Sequence, residues 1–123
     1  MQRRDLEKRA VEELESDSWL VQRALFSIKH LPNGRVISNQ SDFFNVWDIM
    51  AVRSEECRLI QVCSGETFER HKKKITESFP ETSWASQELW YYFKDRGKWQ
   101  RAIFIRTKGF GWLQKPDPPV EVA

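Results

Sequence analysis

Two cysteines, two histidines and no long apolar run in 123 residues set the first limits on this chain. Cys57 and Cys63 stand six residues apart in what reads as one strand. An extended strand would hold them roughly 20 Å apart, which excludes an intrachain disulfide. Neither histidine has a spacing that ties it to Cys63, so a Cys–His nucleophile pair is not indicated. No stretch has the length of a membrane-spanning helix, and none reads as a signal peptide. The expected location is therefore the reducing cytoplasm, with no membrane partner. Internal repeats and low-complexity segments are missing as well, and a 40% apolar composition sets aside a globally disordered chain. Net charge is only +2, too small for a strong whole-molecule field. Its distribution is uneven: acids gather in the first fifteen positions and at Glu55 and Glu56, bases over 70–74 and 94–108. A local basic surface is compatible with that, although a solvated helix face gives the same counts.

What is present suits one compact domain. Six tryptophans and eight phenylalanines within a 40% apolar composition supply a core. The domain is expected over 1–115, with Pro116, Pro118 and Pro119 marking a flexible tail over 116–123. Leu6, Ala10, Val11 and Leu14 recur at helical spacing, which predicts an amphipathic helix over 3–16, ended by Ser16-Asp17-Ser18. Residues 19–28 read as a strand, Pro32-Asn33-Gly34 as a turn and 35–38 as the returning strand. A polar link over 39–42 leads to two apolar runs, 47–52 and 58–63, joined by a charged turn. Thr67 is placed to cap a second helix running to Ser78 and stopped by Pro80, with Phe68 and Ile75 inward. Strands over 88–93 and 99–107 flank an Asp95-Arg96-Gly97 turn. This order predicts an α/β or mixed α+β fold, a central mixed sheet flanked by helices.

Asp48 opens the first apolar run and Gln61 lies near the end of the second. Strand side chains alternate, so Gln61 and Cys63 share one face and Ile60 and Val62 the other. Across a hairpin, Asp48 and Gln61 come to the same edge, where their oxygens could ligate a hard cation such as Mg²⁺ or Mn²⁺. From the residues alone, a lone Asp beside a strand is more often a turn or cap residue than a metal ligand.

The stretch WDIMAV followed by RLIQVCSG resembles the core of the PD-(D/E)XK nuclease superfamily, in which an Asp opens one strand and an acidic-x-Lys triplet closes the next. LEKRAVEELESDSWLVQRA resembles the first helix and following strand of archaeal-type Holliday-junction resolvases. QVCSG, RHKKKI, ELWYYF and RGKW resemble segments of small phage and bacterial proteins of this fold that carry a QVTSG strand end. The likeness spans Leu6 to Trp112. It implies a restriction-endonuclease-like core, DNA as partner, a homodimer if junctions are the substrate, and a phage or mobile-element origin. It also implies a metal site of Glu7, Asp48 and Gln61, with Asp42 nearby. Two departures stand inside the motif: Gln61 replaces the usual acid and Cys63 the usual Lys. A thiol cannot supply the ammonium's charge. In some branches the lysine moves to the following helix, and Lys74 occupies such a position, with Arg70 one turn earlier on the same face and Lys72 and Lys73 beside it as DNA contacts. The expectation is a metal-dependent endonuclease with Glu7, Asp48, Gln61 and Lys74 as catalytic residues. The alternative is a catalytically inactive DNA-binding or protein-interaction module, which the same two departures would suit. His71 reads as surface, and Trp84, Trp90, Trp99 and Trp112 as packing residues before base-stacking ones.

Overall fold

Leu6, Ala10 and Leu14 form the buried stripe of helix α1 (Arg3–Ser16) in the computed structural model, which describes residues 3–44 and 46–122. The helix ends in a Schellman arrangement. Ser18 adopts a φ of 67°, its N–H donates to Glu15 C=O, and Trp19 N–H reaches back to Leu14 C=O. Trp19 then packs in the same cluster as Leu14.

The segment predicted as one strand over 19–28 is divided. β1 (Leu20–Arg23) joins the main sheet, whereas β2 (Leu25–His30) forms a two-stranded ribbon with β3 (Val36–Ser41). Ala24 marks the break, its N–H donating to Asp48 C=O at 2.8 Å. The expected turn at 32–34 closes the ribbon, with Asn33 Oδ1 accepting from Arg35 N–H at 3.0 Å. β3 runs on through the positions expected to form a polar link.

The main sheet follows the order β1, β4 (Ile49–Arg53), β5 (Glu56–Ser64), β6 (Ser86–Asp95), β7 (Lys98–Thr107) and β8 (Gly111–Gln114). Neighbours are antiparallel except β5 and β6, which are parallel and joined by α2 (Phe68–Ser78). β9 (Val120–Glu121) shares the outer edge of β7 with β8, and Val122 N–H donates to Trp99 C=O. That pairing ties the end of the proline-containing segment to the sheet and shortens an otherwise open edge. β6 and β7 are joined through Arg96 and Gly97, both at positive φ (52° and 78°), the geometry of a two-residue primed turn.

The two helices cover opposite faces. Ile60 and Val62 of β5 cluster with Leu6, Ala10 and Leu14 of α1; Leu59 and Cys63 cluster with Ile75 of α2. β5 is therefore buried on both faces, as its near-continuous apolar run requires. The architecture is a mixed α/β sheet flanked by helices, as expected. The cysteines are unbridged. Thr67 stands at the expected N-cap of α2, but its hydroxyl makes no capping hydrogen bond there and instead accepts from Ser64 N–H at 3.2 Å, closing the β5–α2 turn.

One ion pair braces β5 against β6. Arg58 Nε and Nη2 donate to the two oxygens of Glu88 at 2.7 and 2.6 Å, with Ser86 Oγ and Trp90 Nε1 also donating. Burial pushes the Glu88 carboxyl upward, but Arg58 and these hydrogen bonds outweigh it and hold it below the usual carboxylate range. A depressed native pKa contributes stability fully above the ordinary glutamate value of about 4.3 and loses it as pH falls through the native value. Glu88→Gln should cost about 3–5 kcal/mol in urea denaturation by leaving Arg58 uncompensated, and its stability–pH curve should lack this acid-side loss.

Candidate functional site

The β4–β5 ladder closes with Ile49 opposite Ile60, which sets Asp48 opposite Gln61 just beyond it. Asp48 N–H still reaches Ile60 C=O at 3.0 Å. Past that point β4 offers Val62 no regular partner, and side chains take over. Asp48 Oδ2 accepts from Val62 N–H at 3.0 Å, and Gln61 Nε2 donates to Val62 C=O at 3.2 Å. The N–H and C=O of one strand residue face the same neighbour, so both groups here would otherwise lack a partner. Asp48 and Gln61 are each 1% exposed. The structure thus brings together the two residues that carry the strand motif.

Glu7 reaches the same end of the sheet from α1. It is buried, and its Oε2 accepts from Arg23 Nη2 at 2.9 Å. Arg23 is the last residue of β1 and lies opposite Ile49, next to Asp48. Gln61 is a neutral amide, and the Glu7 carboxylate is paired with the Arg23 guanidinium. Arg23 had no place in the sequence reading, since 19–28 read as one continuous strand and gave no local signal for a cation at this point.

α2 keeps its basic residues outside. Arg70, Lys73 and Lys74 are exposed, while Ile75 is the buried residue of the helix. Lys72 is half-buried, its Nζ 5.9 Å from the Phe68 ring and 4.0 Å from Glu69. Lys73 lies 4.0 Å from Glu77. Arg70 and Lys74 remain as cations without an ion pair among the described residues. Cys63 is buried, its Sγ 3.6 Å from Trp90 C=O, and it serves as a packing residue. His71 and Asp42 are half-buried. Trp47 and Trp90 are core residues, and Trp84 is 56% exposed.

Among the described residues no group of three His, Cys, Asp or Glu side chains is arranged to hold a metal ion, and no helix is long and apolar enough to cross a membrane. No family model, curated protein or solved structure matches the chain. Asp48→Ala should cost about 1–3 kcal/mol by leaving Val62 N–H unsatisfied, whereas Asp48→Asn, which keeps an acceptor, should cost less; chemical denaturation of both variants checks this.

Proposed function

We propose that the chain acts on DNA as a metal-dependent endonuclease of PD-(D/E)XK type, with Asp48 and Gln61 at its reacting centre. The observation that carries this reading is the meeting of Asp48 and Gln61 on Val62. It supports the motif likeness because an Asp at the head of one strand faces the counterpart of the acidic-x-Lys triplet at the end of the next.

The donor chemistry, oxygens with little net charge, suits a weakly held hard cation. Asp48, Gln61 and Glu7 offer only oxygens, the ligands that Mg²⁺ and Mn²⁺ take. Gln61 adds no charge, however, and Arg23 already neutralises Glu7. A divalent ion held there would activate water and stabilise the leaving oxyanion. Asp48 supplies the charge that attracts it, Gln61 a neutral oxygen, and Arg23 fixes the orientation of Glu7. Lys74 and Arg70 on α2 are the cations available to a phosphate of the strand. A homodimer follows if four-way junctions are the substrate, since two symmetric strands must be cut.

A second reading, a DNA-binding or protein-interaction module without catalysis, is favoured by the buried Cys63 and by the engagement of Glu7 with Arg23. A cleavage assay on labelled four-way junction, duplex and single-stranded DNA with Mg²⁺, Mn²⁺ or EDTA separates the two. Metal-dependent cutting should fall by about 100-fold in Asp48→Asn, the variant that keeps the Val62 hydrogen bond. Cutting that survives in this variant would overturn the proposal. A gel shift without cutting would establish the second reading. Gln61→Glu should tighten Mn²⁺ binding by about tenfold or more, read by calorimetry independently of cleavage.

A further inference from the structure

Three arginines of the sheet present the same hydrogen-bonding edge, and two of them have it filled. The Nε–H and the neighbouring Nη2–H of a guanidinium form a parallel fork matched to two oxygens of one anion. In Arg58 that fork grips both oxygens of Glu88. In Arg101 it grips both oxygens of Glu13. Arg106, on β7, differs. Its Nη1 serves the protein, donating to Phe79 C=O at 2.7 Å and to Gln87 Oε1 at 2.9 Å. Its Nε–H and Nη2–H have no partner among the described residues.

Gln87 fixes this arrangement. It is 3% exposed, and its amide nitrogen donates to Pro80 C=O at 2.8 Å and to Thr82 Oγ1 at 3.1 Å. With both donors spent, its oxygen can only face Arg106. The guanidinium is thereby held by neutral acceptors that leave its charge uncompensated. It lines a cavity of about 230 Å³ together with Lys108, Ser83 and Glu81. Glu81 forms no ion pair with either cation among the described residues.

We propose that this cavity, at the end of β7 beneath the 79–85 segment, is a binding subsite for a phosphate group, gripped by the Nε–Nη2 edge of Arg106. A carboxylate would satisfy the fork alone. A phosphate also has oxygens left for Lys108 and for the Ser83 hydroxyl, so the two cations favour the phosphate. The site does not rest on catalysis at Asp48; only its occupation by a nucleic-acid strand draws on the reading above.

The test is a titration of the full chain with inorganic phosphate, with a short single-stranded oligodeoxynucleotide lacking terminal phosphates, and with acetate. It follows the NMR signals of Arg106 Nε–H and the Gln87 side-chain amide. Saturable shifts with phosphate, weaker by about tenfold in Arg106→Lys, are expected, because lysine keeps the charge and loses the fork. Lys108→Ala, at an exposed position with no hydrogen bond or ion pair among the described residues, should weaken binding while leaving the Gln87 signals in place, which covers the case in which Arg106→Lys loosens the segment. Asp48→Asn should bind phosphate unchanged. Oligonucleotide shifts at the same signals identify a strand as the source, and shifts with phosphate alone identify a small phosphoester. No saturable shift with either, equal binding by acetate, or full affinity in both variants would overturn the proposal.

Discussion

β5 is covered by a helix on each face, and where its partner β4 stops short, the N–H and C=O of Val62 must be satisfied out of reach of water. An unpaired backbone group in such a place costs about 1–3 kcal/mol, and two would strain a small domain of modest net stability. The protein answers with side chains: Asp48 accepts from the N–H and Gln61 donates to the C=O. Much of the surrounding layout follows. Asp48 must stand at the head of β4, so its own carbonyl is left to Ala24, and that bond ends β1 and releases the chain into the β2–β3 ribbon. Arg23 is then the last residue of β1, where it meets Glu7 from α1. A backbone requirement on one strand thus assembles the polar end of the sheet.

The other end is organised by charge. Arg58 and Glu88 link β5 to β6, while Arg101 and Glu13 link β7 to the end of α1. Both guanidiniums also lie over Trp90, at 5.5 and 5.1 Å from the ring centroid, and Arg58 and Arg53 lie over Trp19. The aromatic faces receive cations whose charge is already met by carboxylates, so the stack fills space without an uncompensated ion. Arg106 stands apart within this pattern, because the groups that position it carry no charge.

Regular elements were legible where a local pattern was sufficient. The four-residue spacing of Leu6, Ala10 and Leu14 identified α1, and Asp95-Arg96-Gly97 identified the β6–β7 turn. β8 and β9 left little trace, since each is short, exposed and defined by what β7 offers rather than by its own periodicity. The division of residues 19–28 was equally hidden, because it depends on a hydrogen bond to Asp48, a residue distant in sequence. At the polar end, Asp48 and Gln61 could be paired from hairpin register and strand alternation. Arg23 could not, because its role is set by a tertiary contact to Glu7 across the helix–sheet layer. Cys63 shows the limit of motif likeness: its place in the triplet draws attention, yet its burial makes it a packing residue.

The amide at position 61 has a physical consequence of its own. A glutamate there would set a second carboxylate opposite Asp48, both almost fully buried, and like charges at that range in a poorly solvated site repel strongly. Such a site is stable only with a proton or a cation to bridge the pair. With Gln61 the same position donates to Val62 C=O and carries no charge, so the polar end closes without either. Affinity for a cation and stability without one are therefore opposed at this position. Gln61 places the chain on the side where the fold stands without a bridging cation.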